Sequence, residues 1–311
     1  MEDLLVSVII PIYNAEKYIE SMVDCLRKQT YSNVEYVFIN DGSTDSSLKM
    51  LEQFTSHLKN SRIYSFSNNG AATARNHGLD LVKGDVICFL DCDDEVCENY
   101  IEKLVEPFTK DSRIDISICG YEKEFINGKK RVFQIAHKGR IINKKKAINY
   151  IFGKHHTNMI VPWAKAIKKE LLTIRFPIVR CEDEAFFYQL FLKCKRISLI
   201  PDALYKYIER ENSDSKNDNF AKTIDICNIY YERYKTLKEA NICKHKAFYV
   251  FAYTYFGFFH KLNKSEKEEL YKIYNARIKG VSKNILSPRF IKFVLLRIRY
   301  KLDLKELKQH N

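Results

Sequence analysis

The sequence predicts an α/β fold in which helices flank a mostly parallel sheet, and two observations predict it. Apolar runs without polar alternation, such as VSVIIPIY (residues 6–13), are typical of strands that are buried on both faces. Segments in which apolar residues recur at helical spacing separate these runs, as in a parallel sheet wrapped by helices. With 46% hydrophobic residues, the 311-residue chain can bury a substantial core.

Strand and helix patterns alternate over the first 125 residues. Strands are predicted at residues 6–13, 34–41, 62–67, 85–91 and 114–125, and helices at 15–29, 43–58, 71–82 and 98–110. The helix pattern at 43–58 opens with Ser, Thr and Asp, which favour helix starts. NGKK (127–130) predicts a hairpin turn, and from about residue 216 onward the pattern is helical.

The polar stretch ENSDSKND (211–218) predicts a domain boundary because it lacks periodicity. We therefore expect one domain at 1–213 and a helical, basic region at 214–311. The apolar stretch AFYVFAYTYFGFF (247–259) has only 13 residues, three of them tyrosines, so it predicts a buried helix rather than a membrane span. The acidic start MEDLL does not resemble a secretory signal, which favours a cytoplasmic location.

Charge is distributed unevenly along the chain. Residues 1–110 hold 10 Lys and Arg against 18 Asp and Glu, and the remainder holds 42 against 21. The acidic part could hold a metal ion, and the basic part could meet an anionic membrane, phosphate groups or nucleic acid. The nine cysteines are scattered singly, which favours reduced thiols over a disulfide framework or a zinc site.

Polar and aromatic side chains follow the predicted strands where each one ends. In open α/β sheets, ligands bind beyond the carboxyl ends of the strands. That rule selects Tyr13 and Asn14, the turn at Asp41, the segment from Asn68, and the acidic stretch at 91–95. No G-x-G-x-x-G follows the first strand, so a dinucleotide-binding fingerprint is missing.

The stretch FLDCDDE (89–95) places four carboxylates directly after an apolar run. They could cap the following helix, where acidic residues suit the helix dipole, but a cap needs only one or two. A calcium-binding loop is disfavoured because Val96 stands where such a loop needs glycine. Two carboxylates in a D-x-D pattern suit Mg²⁺ or Mn²⁺, which take their other ligands from phosphates and water.

Five stretches together resemble the family 2 glycosyltransferases, which have the GT-A fold. In chain order, the first two are VSVIIPIYN and VEYVFINDGSTDSS, and the third is NNGAATARNHG together with FLDCDDE. The last two are VPWAKAIKKELL (161–172) and FPIVRCEDEAFF (176–187). The resemblance covers about residues 6–210. It implies an enzyme that moves a hexose or N-acetylhexosamine from a nucleotide-diphosphate sugar, commonly a UDP-sugar, to an acceptor hydroxyl.

The resemblance assigns residues 1–125 to the nucleotide sugar and 126–213 to the acceptor. It implies a nucleotide-sugar pocket made by Pro11, Tyr13, Asp41, Asn69, Arg75 and Asp91. Tyr13 would stack on the base and Asp41 would accept a hydrogen bond from it, which agrees with the chemistry of those side chains. Taken alone, Tyr13 reads as a strand-end residue, Asp41 as a turn residue and Arg75 as a solvated one; the three together favour a pocket.

The resemblance also implies a metal site and a base. Asp93 would ligate Mn²⁺ or Mg²⁺, Asp91 would contact the ribose or the metal, and Asp94 would orient its neighbours. In CEDEAFF (181–187), Asp183 would be the base of an inverting transfer, with Glu182 as the second candidate. These carboxylates could instead form a simple acidic helix start. The family often has Gly where Cys181 stands.

Acceptor residues are less sharply indicated. Trp163 could form the floor of an acceptor site or belong to the core. Arg210 could contact a phosphate or lie in a solvated turn. The family usually has Asn where Ala164 stands, and the adjacent His155 and His156 are further acceptor-loop candidates.

The basic stretch RFIKFVLLRIRYK (289–301) contains no acid and alternates charges with large apolar residues. It predicts either an interfacial helix on anionic lipid, spanning about 287–307, or an amphipathic helix packed on the domain. The resemblance favours peripheral contact with the inner face of the membrane and a saccharide acceptor, often lipid-linked, in capsule, exopolysaccharide or lipopolysaccharide synthesis.

Three further classes of protein are compatible with parts of the sequence. A nucleic-acid-binding protein is suggested by the high net charge but disfavoured by the acidic first third. A hydrolase could use the paired carboxylates. An inactive relative would bind sugar nucleotides only, which is disfavoured because every carboxylate that catalysis needs is present.

Overall fold

The computed structural model describes residues 4–210, 220–259 and 262–278. Within these residues the chain forms ten strands and ten α-helices. The strands are β1 (Val6–Ile12), β2 (Val34–Asp41), β3 (Ser61–Phe66), β4 (Val86–Phe89), β5 (Glu95–Val96), β6 (Ile116–Glu124), β7 (Lys130–Phe133), β8 (Arg140–Ile142), β9 (Lys165–Lys168) and β10 (Ile197–Ile208). The helices are α1 (Ile19–Arg27), α2 (Ser47–Thr55), α3 (Ala71–Leu81), α4 (Tyr100–Lys110), α5 (Lys144–Ile151), α6 (His156–Ile160), α7 (Glu182–Lys193), α8 (Phe220–Glu239), α9 (Lys244–Phe259) and α10 (Lys264–Ile278).

One sheet organises the first part of the chain, with strand order β3-β2-β1-β4-β9-β6-β10-β5. The first four strands in this order are parallel, as the sequence predicts. Beyond β4, the strand β9 enters antiparallel between β4 and β6, while β6 and β10 are again parallel. The predicted α/β fold is confirmed. The carboxyl ends of β1 to β4 therefore meet at one edge, where the polar loops were expected to converge.

The alternation of side chains along β1 explains its apolar sequence. Val8 and Ile10 pack with residues of α1 in one buried cluster. Ile9 points the other way, toward Gly78 of α3. Successive residues of a strand face opposite sides of the sheet, so both faces of β1 are covered and no polar residue is tolerated in the middle of the run.

The long strand β10 supports the edge of the sheet in a way that the sequence patterns do not predict. It pairs with β8 near its start and with β5 near its end, where Tyr205 lies opposite Val96. The two-residue strand β5 begins at Glu95, the last residue of the acidic stretch at 91–95. The acidic stretch is therefore held between β4 and β10.

The chain divides into two compact units, Met1–Asp214 and Ser215–Asn311. The second unit contains α8, α9 and α10, and aromatic pairs connect the first two of these helices. The ring centroids of Tyr231 and Phe251 are 5.4 Å apart, and those of Tyr234 and Phe248 are 5.3 Å apart. The whole of the predicted apolar helix at 247–259 lies in α9. Among the described helices, none combines the length and apolar character that crossing a bilayer requires. The predicted membrane-contact segment, 287–307, lies outside the described residues.

Helix α3 lies directly against β1 because Gly78 has no side chain. A Cβ at this position would collide with the Cγ2 atom of Ile9, which is fully buried. The contact sets the distance of α3 from the sheet, and α3 carries Arg75. The glycine is therefore part of what positions the site described below.

We expect Gly78→Ala to destabilise the protein. Overpacking costs about 1–3 kcal/mol, which exceeds the helix-propensity gain of about 1 kcal/mol from replacing glycine by alanine. The free energy of unfolding, measured by urea denaturation, should fall. Gly257→Ala in α9 has no neighbour within 4 Å and serves as the helix-propensity control. An equal or higher stability of Gly78→Ala relative to wild type would contradict the close approach.

Candidate active site

The loop after β1 presents an aromatic face to solvent. Tyr13 is 52% exposed at the carboxyl end of the strand. The next residue, Asn14, has φ +46°, a conformation that Asn tolerates better than most residues. Its side-chain oxygen accepts a hydrogen bond from the Thr44 amide at 2.8 Å, and its own amide donates to Ser43 Oγ at 3.1 Å. These contacts join the loops after β1 and β2 and leave the Tyr13 ring accessible.

The loop after β2 is organised by the buried carboxylate of Asp41. Its two oxygens accept hydrogen bonds from the backbone amides of Asn69, at 3.0 Å, and Gly70, at 2.8 Å. Gly42, at φ +68°, lets this loop approach closely, because a Cβ there would lie 2.7 Å from the Asn68 nitrogen. Asp41 thus positions the start of α3. Each of its oxygens keeps a further lone pair with which it could accept from a base.

The guanidinium group of Arg75 connects three predicted site residues. Its side chain is only 7% exposed. One terminal nitrogen, Nη1, lies 2.7 Å from Glu182 Oε1 and 3.7 Å from Asp183 Oδ1, and Nη2 lies 3.1 Å from Asp91 Oδ1. The Nε–H group is buried without a hydrogen bond. The structure thus brings together Arg75, both base candidates and the first aspartate of the D-x-D.

Three carboxylates facing one guanidinium shift the pKa values of both partners. Burial alone would lower the pKa of Arg75, but Asp183, Asp91 and Glu182 together raise it. Burial raises the pKa of Asp183 to about 8, against the opposing effect of Arg75, and Glu182 and Asp91 contribute to the rise. Carboxylates that are close together cannot all ionise easily, so one proton is retained near neutral pH.

The two base candidates differ in their surroundings. Glu182 Oε1 forms the short ion pair with Arg75, so this carboxylate is already engaged. Asp183 keeps 26% of its side chain exposed, although its Oδ1 atom is buried and accepts no hydrogen bond. A carboxylate with a pKa near 8 and access to solvent is suited to take a proton from a hydroxyl. This geometry favours Asp183 over Glu182.

Within the acidic stretch, Asp94 has surroundings different from those of Asp91 and Asp93. Asp94 is buried and accepts hydrogen bonds from the Tyr205 hydroxyl at 2.7 Å and from the Ile208 amide at 2.9 Å. The same Tyr205 hydroxyl accepts from the Asp91 amide at 3.3 Å. Asp94 thus attaches the stretch to β10, which gives a physical basis for the orienting role that was predicted for it. Tyr205 escaped prediction because no local pattern links it to a loop more than a hundred residues away.

The residues that remain fit a cation held by one or two carboxylates. Burial raises the pKa of Asp93, Asp91 adds to the rise, and Arg210 opposes it. A divalent ion beside Asp93 would favour the ionised carboxylate, as the positive charge of Arg210 does. Within the described residues, no group of three His, Cys, Asp or Glu side chains is arranged to hold a metal by itself. A site with only one or two carboxylates, Asp93 and Asp91, suits Mg²⁺ or Mn²⁺, because these ions complete their coordination shell with phosphates and water.

The buried amine of Lys165 holds the segment that precedes β9. Its Nζ donates to the carbonyl oxygens of Asn158 at 2.6 Å and Val161 at 2.5 Å, and a third carbonyl, that of Trp163, lies at 3.4 Å. Burial lowers the pKa of Lys165 to about 7, and Asp183 opposes that shift. The sequence signal for this residue was available, because a single lysine in the apolar run VPWAKAI requires buried partners.

The two predicted acceptor residues lie in different surroundings. Trp163 is 4% exposed, and its ring is stacked on Tyr205 with centroids 4.4 Å apart. The core interpretation of Trp163 is therefore the one that its position supports. Arg210 donates to the Asp93 carbonyl at 2.7 Å and lies over the Tyr18 ring. This places Arg210 beside the D-x-D rather than in a solvated turn.

The first turn of α7 directs its three carboxylates to different partners. Glu182 and Asp183 face Arg75, whereas Glu184 Oε1 lies 2.9 Å from His156 Nε2. Asn76, the residue after Arg75, fixes the segment before α7. Its side chain donates to the Phe176 carbonyl at 2.8 Å and accepts from the Phe176 amide at 2.9 Å. Helix α3 therefore anchors both the segment that leads to α7 and the carboxylates of its first turn.

Comparison with known proteins places the chain in a family. The sequence model described as "Glycosyl transferase family 2" matches residues 7–174, more than half of the chain. The chain belongs to this family. The match includes the Tyr13, Asp41, Arg75 and D-x-D regions but ends before α7.

Relatives of this family 2 glycosyltransferase occur in several bacteria. It is 33% identical to "Glycosyltransferase GlyG" of Streptococcus pneumoniae over 240 residues, which cover 74% of this chain and 79% of GlyG. It is 30% identical to "Uncharacterized glycosyltransferase EpsJ" of Bacillus subtilis over 219 residues, 67% of this chain and 62% of EpsJ. The match thus leaves more than a third of EpsJ uncovered.

Solved structures share the fold. TarS of S. aureus in complex with UDP-GlcNAc has a TM-score of 0.73 at 24% identity, covering 90% of this chain and 82% of the other. TarS in complex with UDP has a TM-score of 0.74 at 21% identity, with coverages of 99% and 92%. This likeness confirms the predicted GT-A fold of the family 2 glycosyltransferase.

Both departures from the family pattern fall at residues with positive φ. Ala164 has φ +57° where the resemblance expects Asn, and Cys181, the residue before α7, has φ +60° where it expects Gly. Asn and Gly tolerate the left-handed conformation, whereas other side chains pay about 1–2 kcal/mol for it. At both positions the backbone of this family 2 glycosyltransferase adopts the left-handed conformation, although neither Ala164 nor Cys181 favours it.

We expect Cys181→Asn to raise the free energy of unfolding by about 0.5–1 kcal/mol, because Asn adopts the left-handed conformation more readily. Thermal and urea denaturation would measure the gain. Cys181→Ala is the control, since it removes the thiol and keeps an unfavourable Cβ. Equal stabilities of the Asn and Ala variants would show that backbone strain at residue 181 is not being relieved.

Proposed function

We propose that this chain is an inverting glycosyltransferase that moves a hexose or N-acetylhexosamine from a UDP-sugar to a hydroxyl of a saccharide acceptor. The observation that carries the proposal is the position of Asp183. Its carboxyl group has a raised pKa, reaches solvent, and lies in the same ion cluster as Asp91 of the D-x-D. Base and donor residues therefore share one site.

The edge of the parallel strands supplies the nucleotide pocket in this proposal. The exposed ring of Tyr13 stacks on the base, Asp41 accepts a hydrogen bond from it, and Pro11 and Asn69 line the pocket. Asp91 contacts the ribose, and Arg75 keeps Asp91 in place. The UDP and UDP-GlcNAc complexes of TarS support uridine as the base.

The transfer step follows from the position of Asp183. The acceptor hydroxyl gives its proton to the Asp183 carboxylate as its oxygen attacks the anomeric carbon. The bond between that carbon and the diphosphate oxygen breaks, and UDP leaves with the bonding electrons. One displacement inverts the configuration and needs no protein nucleophile. Glu182 pairs with Arg75 and contributes to the high pKa of the base.

A divalent cation, Mn²⁺ or Mg²⁺, would be held by Asp93 with help from Asp91, and when bound it neutralises the diphosphate leaving group. Asp94 and Tyr205 hold the backbone of this stretch, and Arg210 holds the Asp93 carbonyl. The chain's own contribution is thus to fix the backbone that carries the two carboxylates, Asp91 and Asp93.

We further propose that the acceptor is a saccharide of the bacterial surface, lipid-linked, and that the enzyme acts at the inner face of the cell membrane. The name of one relative supports surface-polymer synthesis: "Minor teichoic acid biosynthesis protein GgaA" of Bacillus subtilis is 31% identical over 228 residues, 68% of this chain. Membrane contact through 287–307 remains a prediction from sequence.

We expect Asp183→Asn to lower kcat by about 10²–10⁴, the usual contribution of a general base, while UDP affinity changes little. UDP release in the presence of acceptor and isothermal titration with UDP would measure the two quantities. The wild-type kcat/KM should fall as pH drops below about 8, because protonation of Asp183 removes the base. The Asn variant should lack this dependence.

Glu182→Gln is the matched comparison for the base. It removes an ion-pair partner of Arg75 and one of the carboxylates that raise the Asp183 pKa. The pH dependence of this variant should therefore shift to lower pH while most of its turnover is retained at alkaline pH. A larger loss in Glu182→Gln than in Asp183→Asn would transfer the base assignment to Glu182.

We expect Asp93→Asn to weaken the activation by Mn²⁺ by at least about tenfold, since removing even a supporting group of a metal site costs about 10–100-fold in affinity. Titration of Mn²⁺ into protein stripped with EDTA, followed by UDP release, would measure it. Asp94→Asn is the control and should lower the melting temperature more than the metal affinity. Unchanged Mn²⁺ dependence in Asp93→Asn would remove it from the metal site.

A further inference from the structure

One segment of the acceptor half carries an unusual excess of positive charge. Residues 125–169 contain twelve Lys and Arg and not one Asp or Glu. The nine that lie between residues 129 and 154 are all exposed. They are Lys129, Lys130, Arg131, Lys138, Arg140, Lys144, Lys145, Lys146 and Lys154. Such a density of like charge costs folding stability through repulsion, so it calls for an anionic partner.

Part of this charge is concentrated around the buried ring of Tyr150. The Arg140 guanidinium lies 5.6 Å from the ring centroid and donates to the tyrosine hydroxyl. Lys146 Nζ lies 5.4 Å from the same centroid, and the His155 ring lies 4.7 Å away. We name Arg140, Lys146, Tyr150 and His155 the Tyr150 cluster. The ring holds three cationic or potentially cationic groups in one place.

Carboxylates do not neutralise this cluster within the described residues. Burial lowers the pKa of His155, and Lys154, Arg140 and His137 lower it further, with no acidic side chain opposing them. By contrast, Lys130 at the β7 hairpin pairs with Glu124 at 2.9 Å. The Tyr150 cluster is therefore a region of positive potential rather than a network of surface ion pairs.

The cluster lies beside α7, the helix whose first turn carries the proposed base. Helix α5, which carries Lys146 and Tyr150, packs against α7, and so does α6. Lys144 Nζ donates to the Leu192 carbonyl at 3.4 Å, so the start of α5 lies near the carboxyl-terminal end of α7. His156, the neighbour of His155, contacts Glu184, and Glu184 directly follows Asp183. An acceptor chain that runs from Asp183 along α7 would therefore reach the cluster.

We propose that the acceptor is a phosphate-bearing saccharide chain whose phosphates bind the Tyr150 cluster and the exposed lysines beside it. The inference rests on the transferase function proposed above and adds the chemical class of the acceptor. A single phosphate is satisfied by two or three cations, whereas nine exposed cations along one segment match an acceptor with repeated charges. Arg140 supplies the planar fork that suits phosphate oxygens.

Other anionic partners fit the cluster less well. A membrane surface is bound by apolar side chains together with cations, and single-stranded nucleic acid is bound by exposed aromatic rings. The segment exposes Ile126, Val132 and Ile141, but the one large ring of the Tyr150 cluster, Tyr150, is buried. The cluster itself thus offers charge without a large apolar or stacking face.

Binding of phosphorylated maltodextrin, compared with unmodified maltodextrin, would test the proposal on the full chain. The variant Arg140→Gln/Lys146→Gln/Lys154→Gln should bind the phosphorylated chain about tenfold more weakly, at up to a few-fold per exposed ion contact. The control Lys28→Gln/Lys49→Gln/Lys59→Gln removes the same charge from exposed lysines of the first 60 residues and should change affinity less than about threefold. Because Arg140 contacts Tyr150, Lys145→Gln/Lys154→Gln serves as a second, milder variant.

Titration with UDP separates this inference from the proposed function. Loss of phosphorylated maltodextrin binding with unchanged UDP affinity supports the phosphate-binding role, whereas a wild-type protein that binds no UDP contradicts the transferase function itself. Equal effects of the cluster and control variants would overturn the inference. So would equal binding of both maltodextrins. Tighter, cluster-dependent binding to phosphatidylglycerol vesicles or to single-stranded RNA would overturn it in favour of those partners.

Discussion

The burial of the Arg75 guanidinium is the constraint on which the rest of the site depends. A guanidinium cannot lose its charge, so its removal from water has to be compensated by carboxylates. Those carboxylates come from two segments distant in sequence: Asp91 after β4, and Glu182 and Asp183 at the start of α7. Because three acids meet one cation, the compensation exceeds neutrality. Burial raises the pKa of Asp183, and Glu182 and Asp91 add to the rise against the opposing effect of Arg75, so the packing of this cluster supports the base role proposed for Asp183.

The opposite side of the site is secured by β10. Tyr205 shares its hydroxyl between the Asp91 amide and the Asp94 carboxylate, and the face of its ring packs on Trp163. These Tyr205 hydrogen bonds hold the acidic stretch without using the carboxylates of Asp91 and Asp93, although one oxygen of Asp91 pairs with Arg75. Those two side chains can then contact a donor or a cation. The separate structural role of Asp94 explains in part why more acidic residues occur here than the one or two that a helix cap needs.

Charge divides the first unit along the chain. The first part of the chain is acidic and would match a cation with the diphosphate of the proposed donor, while the segment 125–169 is basic and would match an anionic acceptor. The acidic edge would repel such an acceptor, and charge complementarity of this kind favours specificity more than affinity.

The sequence by itself determined the order of the first strands and helices, because apolar runs and helical periodicity are local properties. It also indicated Tyr13, Asp41, Asp91, Asp93 and Asp183, since motif order along the chain preserves their identity. Tertiary structure alone decided what these residues contact. Asp41 accepts hydrogen bonds from backbone amides, Arg75 faces carboxylates and Trp163 lies in the core. None of these contacts follows from the spacing of residues in the sequence. Tyr205 and the insertion of β9 between β4 and β6 went unpredicted for the same reason. Their partners are distant in sequence, so only folding brings the two sides of each contact together.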